Sequence, residues 1–127
     1  MSTEENKAVV RRFITEVLEG GDLDVLDEVL ATEYVNEALG IADRAGFRAY
    51  LSQMRGAFTT HIDDLELTAE GDVVVTRYGL RVAQGDGPES SARGLTFYRL
   101  ADGRITFDEP FTRPDLAQLL GLDPTAA

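Results

Sequence analysis

The sequence predicts an α+β fold in which N-terminal helices pack on one face of a mostly antiparallel sheet. Apolar residues recur at helical spacing as far as about residue 58, and the spacing changes to that of strands from His61 onwards. The later segments are joined by short turns, and Asp102-Gly103 has the composition most typical of a β-hairpin. A run of helices followed by a run of strands is characteristic of this fold class.

Three helices are expected in the first half of the chain. The first covers residues 4–19 and begins with a capping box formed by Ser2 and Glu5. A short second helix follows Asp22, which can serve as its N-cap. The third runs from Arg44 to Arg55. Each carries one apolar stripe, so each is expected to pack against the sheet along that side.

About four strands and a short last helix are expected in the second half. Residues 61–68 and 73–82 are the first two strand candidates, and the second is rich in β-branched residues. A polar loop covers residues 84–91. The hairpin follows over residues 95–111, and a short helix is predicted from Thr112 to Gly121.

Composition limits the classes of function. A chain of 127 residues is enough for one domain, which we expect to span residues 1–127. The net charge of −11 opposes binding to nucleic acid, and no segment has the composition of a membrane span or a signal peptide, so the expected location is the cytoplasm. With no cysteine and one histidine, His61, neither thiol catalysis nor a histidine-rich metal site is expected.

The last predicted strand carries the main candidate for chemistry. Strict alternation places four of its residues on one face: Ile105, Phe107, Glu109 and Phe111. A carboxylate on an apolar face has a raised pKa and can act as a general acid or base, so Glu109 is the first candidate. The alternative is that the strand ends at Pro110 and that Glu109 points to solvent. Asp108 becomes the candidate if a bulge near Pro110 shifts the facing by one residue.

Three segments resemble the SnoaL-like polyketide cyclases of the nuclear transport factor 2-like superfamily. They are NKAVVRRFITEVLEGGDLDVLDEVLATEYV, AEGDVVVTRYGLRV and LTFYRLADGRITF, and the likeness extends from about Asn6 to Leu120. The resemblance implies a cone, in which a strongly curved sheet wraps around the helices and encloses an apolar pocket. It also implies a homodimer formed through the outer face of the sheet, and activity without a cofactor.

The same resemblance implies a cyclase-like site with one acid or base inside the pocket. In this chain Asn36-Glu37 stands where the family often has Asp/Asn-His, and residues 107–111 stand where it has a Glu-His-Trp-Asp-like run. The implied function is cyclisation, isomerisation or epoxide opening of an apolar, polyketide-like small molecule, with Glu109, Asp108 or Asn36 taking part. A non-catalytic module of the same fold that binds a small apolar ligand is the alternative.

Further residues are expected to contact the substrate. Tyr78 lies on the more apolar face of its strand, where its hydroxyl could polarise a substrate oxygen or be a satisfied core group. Asn36 could donate a hydrogen bond to the same oxygen or could cap a local turn. His61 is expected at the surface near the rim of the pocket. Tyr34 is a further candidate for the lining, although a core position suits it better. The remaining predicted lining residues are Tyr50, Met54, Phe58, Phe107 and Phe111.

Overall fold

The computed structural model describes residues 2–114, which form one five-stranded sheet and the helices that cover its inner face. The strands are β1 (Leu30–Val35), β2 (Phe58–Glu70), β3 (Val73–Gln84), β4 (Glu89–Ala101) and β5 (Arg104–Arg113). Their order across the sheet is β1-β5-β4-β3-β2. Only the pairing of β1 with β5 is parallel, which confirms a mostly antiparallel α+β fold.

Two of the helices begin directly after the N-cap residues identified from the sequence or the structure, Ser2 and Asp43. In α1 (Thr3–Arg12) the Ser2 hydroxyl accepts the amide N–H of Glu5 at 3.1 Å, and the Glu5 carboxylate accepts that of Ser2 at 3.0 Å. The helix continues as a π-helix over Phe13–Glu19, so the predicted length is right although the wider winding was not foreseen.

Shorter helical segments follow, and then one long helix. They are a 3₁₀ turn (Leu23–Val25), α2 (Leu26–Val29), a second 3₁₀ turn (Glu37–Leu39) and α3 (Arg44–Ala57). The side chain of Asp43 caps α3 by accepting the Gly46 amide at 2.7 Å. No helix within residues 2–114 has both the length and the apolar composition needed to cross a membrane.

The core is formed where the helical stripes meet the inner face of the sheet. Aromatic rings from three elements interlock there, with 5.6 Å between the ring centroids of Phe13 and Phe47 and 5.2 Å between those of Phe47 and Tyr34. Val74 of β3 and Ile105 of β5 close this part of the core from the sheet side and are fully buried. A second, smaller cluster lies further along the sheet, around Tyr78, Leu80, Val82 and Ala92.

A bulge at Thr106 decides which side chains of β5 face inward. Leu100 pairs with Ile105 but Arg99 pairs with Phe107, so Thr106 is an extra residue in the strand. Asp108 is therefore buried on the inner side after Ile105, while Phe107 packs on Phe97 of β4, an outer-face residue, with 6.2 Å between the ring centroids. The expectation that Ile105, Phe107, Glu109 and Phe111 share one face is wrong, because strict alternation does not survive the bulge.

Other boundaries also differ from the prediction. Strand β1 (Leu30–Val35) is not among the predicted strands, which begin at residue 61. The loop predicted over residues 84–91 is a shorter turn, because β3 continues to Gln84 and β4 begins at Glu89. Thr112 does not begin a helix, since β5 extends to Arg113. The rest of the predicted C-terminal helix lies outside the described residues.

Candidate active site

A cavity of about 610 Å³ lies between the π-helix, α3 and the inner face of the sheet. Its walls are mainly apolar and come from Ile14, Leu18, Phe47, Tyr50, Leu51, Met54, Phe58, Leu80 and Val82. The exposed lining residues mark its opening, among them Thr15, Glu19, Thr59 and His61. The buried lining residues with polar groups lie on β3, β4, β5 and the segment after β1, so the cavity combines apolar walls with a polar floor.

Asp108 is the carboxylate on this floor. It is 5% exposed, and its Oδ2 accepts a hydrogen bond of 2.8 Å from the Tyr34 hydroxyl. Burial raises the pKa of Asp108 to about 7, and the bond from Tyr34 opposes that rise because it favours the ionised form. No other hydrogen bond reaches this carboxylate from the described residues, so Oδ1 is available to a molecule in the cavity.

Tyr34 and Asn36 form a short chain of hydrogen bonds that ends at Asp108. The Tyr34 hydroxyl also accepts a long hydrogen bond of 3.4 Å from Nδ2 of Asn36. Burial and the neighbouring Asp108 raise the pKa of Tyr34, so this phenol remains a neutral donor. The side-chain Oδ1 of Asn36 accepts a hydrogen bond from the Leu39 amide at 3.2 Å, and the backbone N–H and C=O of Asn36 both pair with the backbone of Ile41. Asn36 therefore caps a turn and also lines the cavity.

A second polar point on the floor is the hydroxyl pair of Tyr78 and Thr96. The two oxygens are 2.8 Å apart, and either hydroxyl can donate. Burial raises the pKa of Tyr78, and the bond with Thr96 opposes that rise. Thr96 lies two residues from Tyr98, which pairs directly with Asp108 across the strands. Such diagonal neighbours are separated by about 7–8 Å between Cα atoms, so a small molecule could contact both polar points at once.

Thr96 and Tyr98 are floor residues that sequence reasoning missed. Both lie on the inner face of β4 and line the cavity, and burial raises the pKa of Tyr98 well above its ordinary value. The alternation of Thr96, Tyr98 and Leu100 was a usable signal. The predicted polar candidates lie instead on β3, on β5 and in the segment after β1.

The predicted site residues differ in where they lie relative to the cavity. Seven of them line it: Asn36, Tyr50, Met54, Phe58, His61, Tyr78 and Asp108. Tyr34 lies behind Asp108 and is not part of the lining, while His61 is exposed at the opening. Three lie elsewhere: Glu109 and Phe107 are half-buried outside the cavity, and Phe111 is 60% exposed. Within residues 2–114, no group of three or more His, Asp or Glu side chains is close enough to hold a metal ion.

Comparison with protein families identifies the fold family. The sequence pattern of the SnoaL-like domain matches residues 10–107. The chain belongs to the SnoaL-like family. This confirms the resemblance seen in the sequence, and it places Asp108 one residue beyond the matched region. The comparison with curated proteins found no match.

Solved structures share the fold at low sequence identity. An LEH-like epoxide hydrolase from M. tuberculosis has a TM-score of 0.79 and 23% identity, covering 93% of this chain and 90% of the other. A putative polyketide cyclase from Xanthomonas campestris pv. campestris has a TM-score of 0.73 and 22% identity, covering 85% and 90%. A hypothetical protein with a ketosteroid isomerase-like fold from Catenulispora acidiphila DSM 44928, in complex with trimethylamine, has a TM-score of 0.69 and 17% identity, covering 81% and 83%.

Proposed function

We propose that this protein is an enzyme that moves a proton next to a carbonyl group of an apolar small molecule, with Asp108 as the general acid and base. The observation that supports this most is a buried carboxylate with a pKa of about 7 and one oxygen open to the cavity. A group with that pKa is partly ionised at neutral pH, so it can both accept and return a proton. Glu109, the first candidate from the sequence, lies outside the cavity and is not part of this proposal.

The proposed step begins with the ionised carboxylate of Asp108. Its Oδ1 removes a proton from the carbon next to the carbonyl, and the electron pair of the broken C–H bond forms the C=C bond of an enolate. The carbonyl oxygen gains the negative charge and accepts a hydrogen bond from the Tyr78 hydroxyl. Where a C=C bond stands beside that carbon the enolate is a dienolate, and Asp108 returns the proton to the far end of it, which gives isomerisation. Attack of the enolate carbon on a second carbonyl of the same molecule gives cyclisation instead, and Asp108 then gives its proton to the alkoxide that forms.

Two other outcomes remain open for the same cavity. In its neutral form Asp108 could give a proton to an epoxide oxygen while water attacks carbon. The epoxide hydrolase among the similar structures motivates this second reaction, although a similarity of 23% identity concerns the fold alone.

A module that binds a small apolar ligand without chemistry is the alternative function. Oδ1 of Asp108 has no partner among the described residues, which favours chemistry over binding of an apolar ligand, because burying a partly satisfied carboxylate against such a ligand costs free energy.

Proton exchange tests the proposal without knowledge of the natural substrate. 2-Tetralone is a bicyclic ketone with acidic protons next to its carbonyl, and deuterium incorporation from D₂O can be followed by proton NMR. The wild-type protein should accelerate exchange, and Asp108→Asn should reduce the acceleration by about 100-fold or more. Glu109→Gln is the matched control, since it removes an adjacent carboxylate outside the cavity, and it should leave exchange unchanged.

The outcomes of this assay separate the candidate functions. Loss of exchange in Asp108→Asn alone supports the proposed proton transfer. Equal exchange in wild type and Asp108→Asn rules it out. Saturable binding of 2-tetralone with no exchange, together with no hydration of styrene oxide, favours the binding module.

The partners and the location remain proposals. Leu95 and Phe111 pair across β4 and β5 on the outer face of the sheet and are 49% and 60% exposed. We propose that this face joins two copies of the chain into a homodimer, since large exposed apolar residues side by side are typical of an interface. A polyketide-like substrate and a cytoplasmic location stay predictions from the sequence.

A further inference from the structure

Gly94 lies directly under the ring of Tyr78 in the sheet. The two residues are paired across β3 and β4. A Cβ atom at position 94 would be 2.6 Å from Cζ, 2.7 Å from Cε2 and 2.8 Å from the hydroxyl oxygen of Tyr78. These distances are far below a van der Waals contact, so the outer edge of the ring rests against the backbone of β4 in the place where any other residue has its side chain.

This contact decides where the Tyr78 hydroxyl lies. A ring that lies across Gly94 carries its hydroxyl over β4, towards the next inward-facing residue of that strand, Thr96. The hydroxyl meets Thr96 Oγ1 at 2.8 Å. From there the nearest inward pair along the sheet is Tyr98 and Asp108. The missing side chain at position 94 therefore brings the phenol closer to the carboxylate than an upright tyrosine on β3 would be.

We propose that Gly94 and Thr96 are positioning residues that fix the Tyr78 hydroxyl and thereby determine substrate orientation. Gly94 leaves the space in which the ring lies, and Thr96 holds its hydroxyl. A substrate oxygen bound by Tyr78 then leaves one particular carbon facing Asp108, so these two residues select which proton is removed. The selection of a proton rests on the proposed function, whereas the placement of the Tyr78 hydroxyl does not.

The replacement Gly94→Ala disturbs this arrangement through Tyr78, which supplies the three atoms nearest to the added methyl group. The added methyl group forces the Tyr78 ring away from β4 and into the cavity. The Tyr78 hydroxyl then separates from Thr96, and the volume left for a ligand becomes smaller. Gly79→Ala is the matched control on β3. A Cβ atom there would be 3.7 Å from Cβ of Asp63, an ordinary contact, and Gly79 does not line the cavity.

Binding of 2-naphthol, followed by its fluorescence, gives a readout that is independent of catalysis. This probe has an apolar body and one hydroxyl, which suits a cavity with apolar walls and a polar floor. Gly94→Ala should weaken binding by about tenfold, the equivalent of one lost hydrogen bond and some lost space. Gly79→Ala should bind as the wild type does. Thr96→Val should weaken binding by about three- to tenfold, and Thr96→Ser should restore it because it keeps the hydroxyl.

A double-mutant cycle decides whether Gly94 acts through Tyr78. In a Tyr78→Leu background the ring is absent, so Gly94→Ala should change 2-naphthol binding by less than about twofold. An equal effect of Gly94→Ala in both backgrounds overturns the proposal, and so does equal binding by Thr96→Val and Thr96→Ser. If Gly94→Ala does not fold, the comparison of Val with Ser at position 96, with and without Tyr78, decides the same question.

The exchange assay links the result to chemistry and distinguishes two kinds of failure. With 2-tetralone, Gly94→Ala should lower kcat for deuterium exchange more than it changes KM, since a displaced hydroxyl no longer meets the developing oxyanion. If Asp108→Asn leaves exchange intact while the binding cycle still shows coupling, the proposed function fails and the positioning of Tyr78 stands. If the binding cycle shows no coupling, the positioning proposal fails whatever the exchange assay gives.

Discussion

Replacing Asp108 with asparagine should change how the stability of the protein depends on pH. The pKa of Asp108 is about 7 in the folded protein, against an ordinary value of 3.8. The folded state therefore holds a proton that the unfolded chain releases. The neutral carboxyl contributes stability that is fully present below pH 3.8 and is lost as the pH rises through 7. Asparagine has nearly the same shape and does not titrate, so it removes this dependence.

The size of the effect follows from the two pKa values. Each pH unit between them changes the free energy of unfolding by about 1.4 kcal/mol. From about pH 5 to about pH 8 the wild type should lose about 3 kcal/mol relative to Asp108→Asn. Urea unfolding followed by circular dichroism at several pH values measures the difference. Glu109→Gln provides the control, because it removes a carboxylate that lies outside the cavity next to Asp108.

Comparing each variant with the wild type cancels the titration of the other acidic groups. The difference between wild type and Asp108→Asn should fall steadily with rising pH and level off above about pH 8. A difference that does not change with pH would mean that Asp108 titrates at an ordinary pKa and is not a buried acid. A difference that grows with pH would mean that the folded protein stabilises the ionised carboxylate, which reverses the sign of the argument.

Two further predictions concern the neighbours of Asp108 and the outer face of the sheet. Tyr34→Phe removes the one hydrogen bond that the described residues donate to the Asp108 carboxylate. The pKa of Asp108 should therefore rise by about one to two pH units in an NMR titration. Tyr50→Phe is the control and should leave that pKa unchanged. Phe111→Glu places a charge on the proposed dimer face, and sedimentation equilibrium should then give the mass of a monomer, against twice that mass for the wild type. A wild-type protein that is already monomeric would remove the dimer proposal.

Much of the fold could be predicted because its signals are local. The change from helical to strand spacing near residue 58 separates the helices from the sheet, and the Ser2–Glu5 capping box and the Asp102-Gly103 turn mark element boundaries directly. Strand β1 could not be found in this way. Its six residues gain their structure by pairing in parallel with β5, which lies about seventy residues later in the chain, and no local pattern encodes such a contact.

The candidate site could be predicted only in part, for a similar reason. The lining residues Tyr50, Met54 and Phe58 follow from helical spacing that continues to the end of α3. The choice between Asp108 and Glu109 depends on the bulge at Thr106, which lies four residues before the position where a bulge was considered. Neither threonine nor its neighbours distinguishes a bulged strand from a regular one, since the bulge follows from the register in which β5 pairs with β4.

The most direct test of the account is a carbon-13 NMR titration of the Asp108 side-chain carboxyl in the intact protein, assigned with the Asp108→Asn variant. A midpoint of about 7 is expected from the burial of this group on the cavity floor. A midpoint near the ordinary value of 3.8 would show that the carboxylate is solvated and ionised throughout the neutral range. It would contradict both the buried acid and the proton transfer built on it.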